Sequence, residues 1–376
     1  MSRFLSARRL VAAGLLAFAA ACSNDTSAPA EILDPAATTA DFEAIGDVFT
    51  APQLAGYSSV SAYLSGSAVA SSRVLGQVLR LTAPDTGLLR GRTEANEQRL
   101  EELRGLVPSF SVAGAQGPII PDAITGTTYE WNVDSAGYVA TARAGAPANG
   151  IRFIVYGIDP FTGDPIVPLV ETGYVDLMDE STATSGRLHI LVQSVGGAAT
   201  FLDYTATGTP SATGGTISAA GFVSNGQAGS ALRRLDFDVA VTYSQTFSTL
   251  TIGLVAAFDV NQPDVSIDLS WDYELGQTGR SETVRFSFQR PGEVIVIEGV
   301  YTNTQAGSTY DFEVRVNGGL FATITGDASG VQILDENGDP LTQAEIACLQ
   351  ALFIGWQEVV DLALDILEPA LVLFGL

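Results

Sequence analysis

The chain contains no lysine: all 18 basic residues are arginine, set against 42 acidic ones, for a formal net charge of −24. A field of that sign repels phosphate backbones and anionic surfaces, which excludes nucleic acid as a partner. There is one histidine, His189, too few for a histidine-rich metal site, and there are only two cysteines, too few for a disulfide framework or a four-cysteine zinc site. No G-x-S-x-G elbow, Walker A loop or dinucleotide glycine pattern occurs. The chain is therefore read as a non-enzyme with no cofactor. Also missing is an apolar run of the ~20 residues that a membrane-spanning helix needs.

What is present begins with the N-terminus. Arg3, Arg8 and Arg9 precede the apolar run Leu10 to Phe18, and Ala19-Ala20-Ala21 follows as a small-residue cleavage region. The next residue is Cys22, so the segment resembles the lipobox of bacterial lipoproteins, with Ala19 where that family usually has leucine. The resemblance implies a signal peptide over 1–21, cleavage before Cys22, and a diacylglycerol thioether on that cysteine. The chain is then a cell-envelope lipoprotein with the membrane as partner. Ser23 in place of aspartate after the cysteine points, by analogy with enteric bacteria, to the outer membrane. Loss of Arg3, Arg8 and Arg9 leaves a mature charge of 15 − 42 = −27. With Cys22 alkylated, no intramolecular disulfide can form, and Cys348 is expected as a buried thiol among Ile346, Leu349 and Leu352.

Residues 22–39 comprise the lipidated cysteine and a flexible tether rich in Ser, Thr, Ala, Asp and Pro. Residues 40–127 form an N-terminal helical region, with helices expected over 41–64, 68–81 and 93–106. From about Thr128 the hydrophobic period becomes 2. Leu235, Phe237, Val239, Val241 and Tyr243 are odd-numbered; the next apolar set, Leu250 to Val260, is even, and the sets go on alternating in parity through Tyr310–Val316. Opposed residues in an antiparallel pair share a constant index sum and a face, so this alternation is what an up-and-down meander requires. For the segments 264–275 and 280–290 the expected sum is near 555, setting Arg285 opposite Ser270.

Residues 128–376 are thus read as a mainly β (α+β) domain: a large curved antiparallel up-and-down sheet or incomplete barrel. An apolar C-terminal helix over 342–368 packs on it, opened by a Thr342/Glu345 capping box and ended or kinked by Pro369, with N-terminal helices over an end or edge. Phe258, Trp271, Tyr273, Phe286, Phe288 and Phe312 fall on the apolar side of their strands and, with Trp356, are the candidate ligand-facing residues. Asp264, Ser266, Asp268, Ser270, Asp272 and Glu274 line a solvated face. His189 shares a strand face with Arg187 and Gln193. Asp335 to Asp339 departs from the calcium-loop pattern and reads as a turn feeding the helix cap. In outline this architecture is similar to the half-barrel-plus-helix lipoprotein carriers of the LolA/LolB and LppX type, though fold does not carry function. Three readings follow: a non-enzymatic envelope lipoprotein binding an apolar or lipid-like ligand between sheet and helix, a structural or surface-interaction lipoprotein with a packed core, and an outer-membrane β-barrel.

Overall fold

The computed structural model describes residues 118–373, apart from 160, 161, 163 and 328, together with thirteen positions between 37 and 60. The signal and nearly all of the tether, and the helices expected over 68–81 and 93–106, lie outside the described residues.

Alternation yields fifteen strands in one open sheet. They are β1 (Thr127–Asn132), β2 (Gly137–Thr141), β3 (Gly150–Tyr156), β4 (Glu171–Asp179) and β5 (Gly186–Ser194). The long central strands follow: β6 (Thr200–Ser211), β7 (Gly214–Ser224), β8 (Arg234–Gln245), β9 (Leu250–Asn261) and β10 (Asp264–Gly276). The last five are β11 (Gly279–Arg290), β12 (Glu293–Thr304), β13 (Gly307–Val316), β14 (Gly319–Asp327) and β15 (Gly330–Leu334). From β3 to β15 each strand pairs antiparallel with its neighbour in the chain. The expected all-antiparallel meander needs one correction. The β1–β2 hairpin joins the sheet through a parallel β1–β3 pairing, so the sheet is mixed.

The β10–β11 register has Ser270 opposite Arg285, the expected sum of 555. Arg285 lies on the exposed face and reaches Glu298 on β12 at 3.0 Å. That carboxylate belongs to the residue directly opposite Arg285 on β12. Asn317 and Gly318 take φ of 51° and 81°, the left-handed pair that a two-residue Asn-Gly hairpin requires. The Asn317 side chain accepts the Val294 N–H at 2.9 Å, pinning the β13–β14 turn to β12.

The C-terminal helix α1 (Gln343–Leu373) opens as its sequence implies. Thr342 Oγ1 accepts the Glu345 N–H at 3.3 Å while the Glu345 carboxylate accepts the Thr342 N–H at 2.7 Å. Ahead of it, the Asp335 carboxylate accepts the N–H groups of Asn337 and Asp339, both at 2.8 Å, which makes the segment a turn. Contrary to the expected stop near 368, helical backbone continues through Pro369 to Leu373. Proline forfeits only its own donor, and this close to the terminus a single turn remains to be disturbed. Leu349, Leu352, Val359, Ala363, Ile366 and Leu367 are buried.

α1 packs against β6, β7 and β8. Small residues on the core face explain the choice of seat: Ala206 and Gly208 on β6 face Ala219 and Ile217 on β7. Gly221 lies beneath Tyr204, where a Cβ would stand 2.4 Å from the tyrosine Cβ. The N-terminal segment is not confined to an edge. Asp41 reaches Arg290 at the end of β11, Gly56 abuts Val155 on β3, and the Tyr57 phenol lies against Tyr204. These contacts run across the core face, where Ile45, Val48, Leu54, Tyr57 and Val60 are buried.

Candidate functional site

Hairpin registers align the inward side chains of β8 to β13 into rows, and the chemistry of the rows is graded. One row reads Phe237, Phe258, Ile267, Phe288, Ile295, Val316. Beside it run Val239, Ala256, Leu269, Phe286, Ile297, Val314, and then Val241, Leu254, Trp271, Val284, Gly299, Phe312. The next row changes character: Tyr243, Ile252, Tyr273, Glu282, Tyr301, Tyr310. One step further out the row reads Gln245, Leu250, Leu275, Arg280, Asn303, Ser308, so it is polar over β11 to β13. The inward face of β11 therefore passes from Arg280 and Glu282 through Val284, Phe286 and Phe288 to Arg290, with charge at both ends.

Every aromatic residue expected on the inward side is there. Phe258, Trp271, Tyr273, Phe286 and Phe288 are buried and Phe312 is half-buried against the same core. Trp271 and Tyr273 meet edge-on with ring centroids 6.5 Å apart. Trp356 is half-buried against that core on α1, and its ring neighbour is Phe353 at 5.6 Å. Because α1 is seated over β6–β8, Trp356 is not stacked in the rows that hold the other six.

Sequence reading missed the polar end of this face. Arg280 Nε lies 3.6 Å from Glu282, its Nη2 donates to the Tyr301 hydroxyl at 3.4 Å, and Tyr301 Oη is 3.3 Å from Ser308 Oγ. The Tyr301 and Tyr310 rings are 5.0 Å apart. Burial alone would raise the Tyr301 phenol, but the hydrogen bonds with Ser308 and Arg280 outweigh it and bring the group below its ordinary value. Guanidinium, phenol and hydroxyl donors beside two mutually tilted rings suit a polar headgroup. Parity was the available signal: Arg280 and Glu282 are even-numbered, like Val284, Phe286 and Phe288.

At the other end of the face Arg290 is held by Asp41 at 3.2 Å and Glu293 at 2.8 Å, all three largely shielded from solvent. This cluster reads as structural, because a guanidinium turned inward needs such carboxylates to offset its desolvation.

The outward face holds two further clusters. His189 Nε2 lies 2.7 Å from Asp203, its Nδ1 3.5 Å from Glu180, and Arg187 pairs with Glu180 at 2.9 Å. Asp264, Asp268, Asp272 and Glu274 are exposed as expected, and β8 and β9 extend the acidic field, with Asp236 directly opposite Asp259. Burial and then repulsion from Asp268, Asp236 and Asp264 raise the Asp259 carboxyl above its usual range. Among the described residues no group of three or more His, Cys, Asp or Glu is arranged to hold a metal ion. Cys348 is buried, forms no disulfide, and lies in the first turns of α1. No protein-family model, no curated protein and no solved structure matches this chain.

Proposed function

We propose that the chain is a non-enzymatic, lipid-anchored protein of the cell envelope that binds an amphiphile between the core face of its sheet and the helical segments over it. The observation that carries the reading is the gradation of that face. Over β11 to β13, three apolar rows give way to Glu282, Tyr301 and Tyr310 and then to Arg280, Asn303 and Ser308. Glu282 offsets the inward charge of Arg280, and the Tyr301, Asn303 and Ser308 side chains beside them add donors and acceptors that a polar head can use. An acyl chain along the Phe286 and Trp271 rows with a polar head at Tyr301 matches both parts.

The packed-core alternative draws support from a different observation: Phe286 and Phe288 are fully buried. The outer-membrane barrel has the least support. Such a barrel turns apolar residues to lipid and polar ones inward. Here Asp238, Asp268 and Asp272 face outward, and the sheet is open.

Native mass spectrometry of the Cys22→Ala protein, purified without detergent, tests the reading. Bound lipid that leaves on organic extraction and is lost in Tyr301→Phe/Arg280→Met is the expected result. A bare polypeptide mass from cells grown in several lipid backgrounds would select the packed-core alternative. Labelling with a fatty-acid analogue tests the anchor separately: wild type should be marked and Cys22→Ala blank.

A further inference from the structure

From β3 onward the strands alternate in direction, and β1 runs parallel to β3. The β1–β2, β3–β4, β5–β6 and β11–β12 connections therefore lie at one end of the sheet. That end carries a concentration of exposed aliphatic side chains. Val133 follows β1, Ile166, Val167 and Val170 lie between β3 and β4, and Val195 lies between β5 and β6, each at least half exposed. These three connections belong to strands that are close neighbours in the order β2-β1-β3-β4-β5-β6.

The tips are held in place. Ile166 donates to the Gly157 carbonyl at 2.8 Å and Gly157 to the Val170 carbonyl at 3.2 Å. The Val195 turn is closed by Ser194 N–H to the Ala199 carbonyl and by Ala199 N–H to Ser194 Oγ, both 2.9 Å, with Gly196 and Gly197 at φ of 76° and 72°. Scattered exposed aliphatic residues need no explanation, but four valines and an isoleucine on adjoining connections mark an interaction surface.

A second, independent observation identifies what covers them. Asp41 is bound to Arg290, which also pairs with Glu293 across the β11–β12 turn at this same end. Asp41, about 20 residues beyond Cys22, thus lies at this end. A chain of about 18 residues behaving as the tether expected from the sequence would span roughly 20–25 Å. We infer that the β1–β2, β3–β4 and β5–β6 connections form a bilayer-docking surface, seating Val133, Ile166, Val167, Val170 and Val195 in the interfacial zone of the membrane that holds Cys22. The inference rests on the lipid-anchor reading above. With an acidic exterior, contact of this kind is apolar in origin and suits zwitterionic lipid better than anionic lipid.

Docking is read from tryptophans introduced at exposed positions of the full mature chain on phosphatidylcholine vesicles, using acyl chains with or without bromine as quencher. Protein whose Cys22 proves unmodified is coupled through that thiol to a maleimide lipid. The surface is thus tested even if natural lipidation fails, and the mass of Cys22 reports on the anchor by itself. After subtraction of wild-type signal, Val167→Trp and Val195→Trp should each be quenched at least twofold by brominated lipid. Phe247→Trp, on the β8–β9 turn at the opposite end, should be unaffected. Equal quenching at all three positions, or none at Val167 and Val195, overturns the inference. So does self-association of the Cys22→Ala protein that Val167→Asp abolishes, since that would assign the surface to a second copy of the chain.

Discussion

Replacing Gly221 with alanine should be far more damaging than its position in an unremarkable Ala/Gly/Ser strand implies. The added Cβ would fall 2.2 Å from the Asp203 carbonyl oxygen and 2.4 Å from both Cα and Cβ of Tyr204. None of these atoms is the end of a flexible side chain, so β6 and β7 must part locally. Overpacking of this kind costs about 1–3 kcal/mol, and each ladder hydrogen bond weakened adds about 1 kcal/mol, for a total of about 2–4 kcal/mol. The loss also falls on the strand that seats α1. Gly330→Ala on β15 is the control: nothing lies within 4 Å of its would-be Cβ, so its effect should stay within about 0.5 kcal/mol. Urea unfolding of the Cys22→Ala background, followed by tryptophan fluorescence, gives both values at unchanged slope. If Gly221→Ala unfolds within about 0.5 kcal/mol of its parent, the close β6–β7 approach is not a constraint and the reasoning fails.

Other outcomes follow from individual side chains. Trp356 Nε1 is buried without a hydrogen-bond partner among the described residues, so Trp356→Phe should be neutral or stabilising by about 1 kcal/mol, while Trp356→Ala should cost about 2–4 kcal/mol in the same assay. Asp259 has a raised carboxyl pKa, so its ionised form opposes folding; the penalty is present above the folded pKa and vanishes below the unfolded one. Asp259→Asn should therefore stabilise by about 0.2–1 kcal/mol at neutral pH and by nothing once both forms are protonated, as a pH series of melts would reveal. Cys348 should react with a thiol reagent only as fast as α1 detaches; rapid labelling of native protein would mean that the helix is not seated.

The fold was most legible where inward residues are large. Between Leu235 and Val316 the parity of Phe, Tyr, Trp, Ile, Leu and Val specified strand, face and, for β10–β11, the register itself. The Thr342/Glu345 pair likewise marked where α1 begins. β7 is hard to read from sequence because Ala219 and Gly221 carry no hydrophobic signal; their smallness matters for packing, which periodicity does not register. The parallel β1–β3 pairing was invisible, since a residue pattern does not say which edge a hairpin joins. The path of residues 41–60 depends on contacts such as Asp41–Arg290, 249 positions apart. Arg280 and Glu282 could have been found, but a charged pair at a strand end is ordinarily taken for a solvated rim.

The nearest-neighbour order of the sheet also bears on how the protein assembles and responds to load. Twelve strands, β4 to β15, each pair with the strand just made, so these closures are local and the sheet can grow hairpin by hairpin, much as repeat proteins do. The contact from Asp41 to Arg290 is of the opposite kind, spanning most of the chain, and has to wait for β11. The first described residues of the chain are therefore among the last to dock. A pull on the N-terminal side would load that late contact before any β ladder, so the N-terminal strap would peel away while the thirteen-strand meander stayed intact.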